Sequence, residues 1–277
     1  DEDSPTIWKP KDVSGLTFGT KGYYLDFEAS DNLGNDANGG TDWGETNIAA
    51  ADQATDTPTL NYPTLNPLMG VHANLTFAEG NLNMIIADTA YRGVPATLGA
   101  QNGKWYAEFK AVSGFSAVDM SAGIYRTDNT YGQSTALGNY TTGTTWSYGA
   151  TGNVRNANGN TDTGEATFTD DDIIQVAMDL DNNKLYFGKN NTYINSGDPT
   201  TGATGTGAYA ITAGDFYHFA INTYKDSNGA GLWSANFGSP AYANSSDAAD
   251  ANGYGAFEFA PPSGYYAMNS ANLAEFG

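Results

Sequence analysis

Asp172-Ile173-Ile174-Gln175-Val176-Ala177-Met178-Asp179-Leu180-Asp181-Asn182-Asn183-Lys184-Leu185-Tyr186-Phe187-Gly188-Lys189-Asn190 is the stretch that decides the fold. Ile174, Val176, Met178 and Leu180 recur at every second residue, so they line one face of an extended strand. Asp181-Asn182-Asn183 supplies turn formers, and Lys184–Lys189 returns with Leu185 and Phe187 on the inward side. Period-two alternation on both sides of an Asx turn predicts a β-hairpin.

The same pattern extends outward. Residues 104–111 alternate, with Trp105, Ala107, Phe109 and Ala111 on one face and Tyr106, Glu108 and Lys110 on the other. Glu108 thereby reads as a solvent-face residue. Residues 75–78 and 81–87 flank the Glu79-Gly80 turn, and 121–125 form a further strand. A second hairpin joins 216–224 to 231–237, where Trp233, Ala235 and Phe237 share a face. Residues 22–27, Gly-Tyr-Tyr-Leu-Asp-Phe, read as a first strand. Residues 151–164 and 195–207, rich in Asn, Gly and Thr, read as surface loops. No window holds helical periodicity over three turns. The expectation is an all-β, antiparallel β-sandwich or jelly roll (residues 75–277), preceded by an irregular N-terminal arm and leader (residues 1–74) wrapped on it.

Composition narrows the function. The 277 residues include 11 Lys+Arg against 31 Asp+Glu, a net charge of −20. A backbone-tracking nucleic-acid surface needs clustered cations, so no nucleic-acid partner is expected. No run of about 18 apolar residues marks a membrane span. The absence of Cys excludes disulfides, thiolate metal sites and cysteine nucleophiles. The negative charge suits a protein that stays soluble in a saline exterior.

Several segments together resemble a known family. Gly103-Lys104-Trp105-Tyr106-Ala107-Glu108-Phe109, Ala122-Gly123-Ile124-Tyr125, the 172–190 hairpin and Trp233-Ser234-Ala235-Asn236-Phe237-Gly238 resemble the SPRY domain, a concanavalin-like sandwich. Leu25-Asp26-Phe27, Asp31-Asn32-Leu33-Gly34-Asn35-Asp36, Asp42-Trp43, Asp56-Thr57-Pro58-Thr59 and Thr64-Leu65-Asn66-Pro67-Leu68 resemble a leader that precedes such domains in bacteriophage or prophage structural proteins. Pro261-Pro262-Ser263-Gly264-Tyr265 resembles the close of the same arrangement. This resemblance spans about residues 16–275. It implies a binding module without catalysis, which presents loops at one end of the sandwich to a partner. The partner would be another virion subunit, or a host surface glycan or protein, and the module a homo-oligomer in a tail, fibre or capsid surface. The loops match no liganded relative residue by residue, so no ligand class carries over. A secreted bacterial carbohydrate-binding or adhesin module is the alternative, and a glycan-cleaving enzyme a weaker one.

Candidate residues follow from chemistry. Aromatics stack on sugar faces and anchor protein interfaces, which singles out Tyr125, Tyr131, Tyr140, Trp146, Tyr148 and Tyr193 in or beside loops. Asp31, Asn35, Asp36 and Asp42, with Asn32, cluster among glycines and form the candidate Ca²⁺ site; the competing reading is a Gly/Asx turn with no ion. Trp43, Trp105 and Trp233 are assigned to the core. Glu28, Glu108, Glu165 and Glu258 form no paired motif of the glycosidase kind. His218 alternates in an aromatic strand and reads as a half-buried packing residue. No catalytic residue is assigned.

Overall fold

The computed structural model describes residues 13, 15–48, 50, 53, 60–69, 74–86, 89, 91–115, 120–127, 136–139, 145–226 and 229–277; the side chains of residues 226 and 229 are outside that set. The chain divides into two compact units, residues 1–61 and 62–277.

The first unit holds no strand at 22–27, contrary to the sequence expectation. Its backbone groups are used locally instead. The Tyr24 N–H donates to the Asp36 carboxylate and the Ala37 N–H to the Tyr24 carbonyl, which ties this segment to a loop and not to a neighbouring strand. Phe27 sits at φ 57°, which breaks extension. Tyr23 packs edge-on against Trp43 at 4.9 Å. Trp43 remains 55% exposed, so it is a surface ring and not the core residue expected.

The second unit is built from seventeen short strands among the described residues. They are β1 (Leu75–Ala78), β2 (Asn83–Ile86), β3 (Arg92–Pro95), β4 (Lys104–Ser113), β5 (Ser121–Arg126), β6 (Thr145–Gly149), β7 (Val154–Asn156), β8 (Gly159–Asp162), β9 (Ile173–Asp179), β10 (Lys184–Lys189), β11 (Thr192–Tyr193), β12 (Tyr209–Ala210), β13 (Tyr217–Thr223), β14 (Lys225–Asp226), β15 (Gly229–Ala230), β16 (Leu232–Asn236) and β17 (Tyr266–Ala267). One sheet runs β1-β2-β16-β4-β9-β10-β11, with β12 on β10 and β17 on β4; the other runs β3-β13-β5-β6-β7-β8. Pairing is antiparallel except where β17 meets β4. The decisive hairpin is present in register, Asp179 facing Lys184 and Ile174 facing Lys189. The architecture is an antiparallel β-sandwich.

The core lies between the sheets and is dominated by rings. Trp105 and Phe109 of β4, Phe187 of β10 and Trp233 of β16 are fully buried, with Phe219 and Ile221 of β13 opposite. Phe115 meets Trp233 at 4.5 Å and near-perpendicular planes, and Phe109 packs on Phe237 at 5.7 Å. Such edge-on pairs add to the stabilisation from burial itself. The Trp233 indole N–H donates to the Asn222 carbonyl at 3.0 Å, so the ring is satisfied as well as packed. Residues before β1 join this unit: Leu65 is fully buried and bridges to Ala96.

Three segments differ from the sequence reading. Residues 151–164 contain the β7–β8 hairpin, whose turn places Ala157 and Asn158 at φ 52° and 61°. Residues 199–204 form a short 3-10 helix capped by Asp198. β6 was not anticipated, although Trp146 and Tyr148 alternate inward along it.

The outward face of the larger sheet carries a buried polar ladder. Asn236 Nδ2 donates to Glu108 Oε2 at 3.2 Å, the Tyr106 hydroxyl to Glu108 Oε1 at 2.9 Å, and Gln175 Nε2 to the Tyr106 oxygen at 3.1 Å. Gln175 Oε1 accepts the Asn191 N–H at 2.6 Å. Glu108 points away from the core, as alternation requires, yet is fully buried. The solvent-face assignment fails because the C-terminal segment covers this face. The N–H groups of Glu258 and Phe259 donate to the two Glu108 oxygens at 2.9 and 2.8 Å, and the Phe257 ring stands edge-on to Tyr106 at 5.0 Å. That segment is tied to itself by Asp250, which accepts N–H groups from Asn252, Tyr254 and Ala267 and the Asn272 amide. It ends in α1 (Ser270–Phe276), capped by Asn269.

Burial pushes the Glu108 carboxyl up from 4.5 to about 7, against the pull of the Phe259 and Glu258 N–H groups, the Tyr106 hydroxyl and the Asn236 amide. A raised carboxyl binds more protons folded than unfolded between those two values. Stability from this group is therefore greatest below the unfolded value and falls as pH rises toward 7. At about 1.4 kcal/mol per pH unit, the wild type should lose up to about 3 kcal/mol relative to Glu108→Gln between about pH 5 and pH 8. Denaturant melts of both proteins across that range measure it, and parallel pH profiles would refute it. In the core, Trp233→Ala should cost about 3–5 kcal/mol in the same assay.

Candidate binding groove

A groove with a volume of about 600 Å³ opens beside β11, the edge strand of the larger sheet, lined by Glu165, Ala166 and residues 189–196 apart from Asn191. Two tight turns shape it. Asn190 and Asn191 join β10 to β11 with φ 46° and 66°, the positive angles of a type I′ hairpin turn, for which Asn is well suited. Asn195 and Ser196 both sit at φ 53°, and the Gly197 N–H closes their turn on the Ile194 carbonyl at 2.9 Å. A left-handed serine is unfavourable and is held only by its surroundings.

Those surroundings are specific. Asn190 Oδ1 accepts the Ile173 N–H at 2.9 Å and its amide donates to Asp172 at 2.6 Å. Asn191 is held by Gln175 at the end of the polar ladder. The Asn195 N–H donates to Glu165 at 3.1 Å and its amide to the Gly207 carbonyl at 3.3 Å. Lys189 Nζ donates to the Thr167 carbonyl and pairs with Asp172, both at 2.9 Å. Partial burial pulls the Asp172 carboxyl up, but the Thr169 N–H, Lys189 and Asn190 outweigh it and hold it below the ordinary range.

Of the aromatics singled out from sequence, the structure brings Tyr193 to this groove. Its side chain is half-buried, its hydroxyl lies inside without a hydrogen-bond partner, and burial pushes the phenol upward. Tyr125, Trp146 and Tyr148 are placed elsewhere. They lie on β5 and β6 and are buried, Trp146 and Tyr148 in the main core and Tyr125 with Leu137 and Ala220. Their positions beside polar loops hid the strand alternation that turns them inward. Tyr131 and Tyr140 lie outside the described residues. The groove's polar residues, Glu165, Lys189, Asn190, Thr192, Asn195 and Ser196, were not singled out from sequence. The two-residue Asn190-Asn191 and Asn195-Ser196 turns were the available signal.

In the acidic loop of the first unit, Asp36 and Asp42 accept hydrogen bonds from within the unit. Asp36 accepts the Tyr24 and Asn38 N–H groups, and Asp42 accepts the Asp36 N–H at 3.0 Å and the Asn32 amide at 2.8 Å. These hydrogen bonds, to the backbone first and Asn32 second, hold the Asp42 carboxyl below its ordinary value. Among the described residues no three His, Cys, Asp or Glu side chains are grouped to hold a metal ion. Asp36 Oδ1 and both Asp42 oxygens thus hold the turn itself, and Ca²⁺ ligation by Asp31, Asn35, Asp36 and Asp42 stays an expectation from sequence.

His218 is held by two carbonyls and a hydroxyl. Its Nδ1 lies 3.0 Å from the Ala96 and Leu98 carbonyls, and its Nε2 2.9 Å from the Thr127 hydroxyl. Burial lowers its pKa, with the two carbonyls opposing. The Glu258 carboxylate is taken by the Ser245 N–H and hydroxyl, and that of Glu108 by its four donors.

No protein-family model and no curated protein matches the chain. Among solved structures it is similar to the SPRY domain of human HERC1, at 18% identity and TM-score 0.47, over 62% of this chain and 96% of that one. It is similar to the PSpry domain of TRIM65, at 9% identity and TM-score 0.46, over 63% and 89%. It is also similar to a human SPRY domain, at 12% identity and TM-score 0.42, over 62% and 98%.

Proposed function

We propose that the chain is a non-enzymatic binding module of a virion, a tail, fibre or capsid-surface protein that engages its partner through loops at the groove. The groove carries this reading. Its walls are short turns fixed by side-chain hydrogen bonds, those of Asn190 to the Ile173 N–H and of Gln175 to the Asn191 N–H being partly buried, a geometry that presents a ligand surface without needing to rearrange. Its acidic and basic side chains are already occupied, Glu165 by Asn195 and Lys189 by Asp172, which suits recognition better than acid–base chemistry. The virion setting is supported by the leader and Pro-Pro-Ser-Gly segments. Repetition of the module by symmetry would raise weak individual contacts to useful avidity. Its partners would be neighbouring virion subunits and a host surface glycan or protein.

Mass spectrometry of gradient-purified particles from the source culture should find the chain in the particle fraction. Recovery only from particle-free medium would favour a secreted adhesin module. Thr192→Trp, which fills the groove from the exposed short strand β11, should lower particle attachment to host cells at least tenfold, with an unchanged melting temperature. Attachment equal to wild type would remove the groove from the reading.

A further inference from the structure

We propose that the 165/189–196 groove binds a short neutral saccharide; this rests on the binding-module reading and names its ligand class. Three observations converge on it. First, the groove's volume of about 600 Å³ lies within the usual range for small-ligand sites, about 300–1,000 Å³. Second, its chemistry is that of uncharged hydrogen bonding. Thr192 and Ser196 are exposed at its rim and offer hydroxyl groups that can both donate and accept, as sugar hydroxyls require, with the Asn195 side-chain oxygen beside them, while Asn190 is held by Ile173 and Asp172. Lys189 is spent on Asp172 and Thr167, so no unengaged cation lines the groove to receive a phosphate, sulfate or carboxylate. Third, Tyr193 and buried Ile194 supply the apolar part of the lining, against which a pyranose ring can pack.

Two further features argue against other occupants. The net charge of −20 repels anionic ligands, sialylated or sulfated glycans included. An extended peptide adding to the sheet would have to pair with β11, which is two residues long and bounded on both sides by left-handed turns.

The test is an NMR titration of the full chain with maltose, cellobiose, lactose and N,N′-diacetylchitobiose, alongside sialyllactose and an extended peptide. At least one neutral disaccharide should shift resonances of residues 165–166 and 189–196 with a millimolar dissociation constant. Thr192→Trp should weaken that binding at least tenfold while leaving the melting temperature unchanged, and sialyllactose should bind at least tenfold more weakly. The proposal is overturned by tighter binding of sialyllactose or the peptide, by shifts confined to other residues, or by no shift with any neutral disaccharide at millimolar concentration. Failure here with Thr192-dependent attachment of particles intact removes the saccharide and leaves the binding module. Saccharide binding by a chain that is absent from particles removes the virion setting alone.

Discussion

Four donors converge on one carboxylate, and the second layer of the structure depends on that convergence. Glu108 takes the Tyr106 hydroxyl, the Asn236 amide and the N–H groups of Glu258 and Phe259, all in a fully buried site. An ionised group without those partners would be expelled or neutralised there. Even with them, burial raises the carboxyl toward neutrality, so this site costs stability at high pH. What it supplies is registration. Two adjacent N–H groups meet the two oxygens in only one alignment of the C-terminal segment on β4. A slip by one residue would leave a buried charge with half its donors, at a cost of several kcal/mol. A wholly apolar contact would tolerate that slip more readily.

This explains which parts of the fold the sequence disclosed. The inner faces of β4, β9, β10 and β16 were legible because period two is a local property. Trp105, Phe109, Ile174, Val176, Leu185, Phe187 and Trp233 all point where alternation put them, into the core. The outer face obeyed the same alternation, and polar residues there read as solvated. Their cover comes from residues 150 positions away in the chain, and nothing within β4 announces it. Trp146 and Tyr148 failed for the opposite reason. Their strand is flanked by Thr and Gly, and polar flanks suggested a loop although the alternation was present. In the first unit, residues 22–27 had strand-like composition but no strand to pair with, and Asp36 took the Tyr24 N–H instead.

The groove belongs to the same hydrogen-bonded system as the ladder. Asn236, Glu108, Tyr106, Gln175 and the Asn191 N–H form a continuous path from the covered centre of the sheet to its β11 edge. Gly188 sits beside this path, and a Cβ there would stand 3.0 Å from Gln175 Oε1. A side chain at that position would press on the amide that fixes the turn, which would have to give by a few tenths of an ångström. The groove is thereby stiff on the Asn191 side, while Thr192 and Ser196 at its rim remain exposed. Affinity for a small polar ligand is limited mainly by the entropy of ordering the site, so a wall ordered in advance is worth more than an additional contact.

That coupling also bears on why the strained turn persists. Asn195 and Ser196 hold left-handed angles, which Asn tolerates and which cost free energy in Ser. If the turn served only to reverse the chain before the 3-10 helix, glycine would relieve the strain and lose nothing but side chains. Retaining an amide and a hydroxyl at both positions keeps two polar groups on the groove rim at a defined spacing. The Asn195 N–H ties that spacing to Glu165, 30 residues away in the chain. A strained surface turn of this kind persists because a hydrogen bond to a distant segment holds it in place.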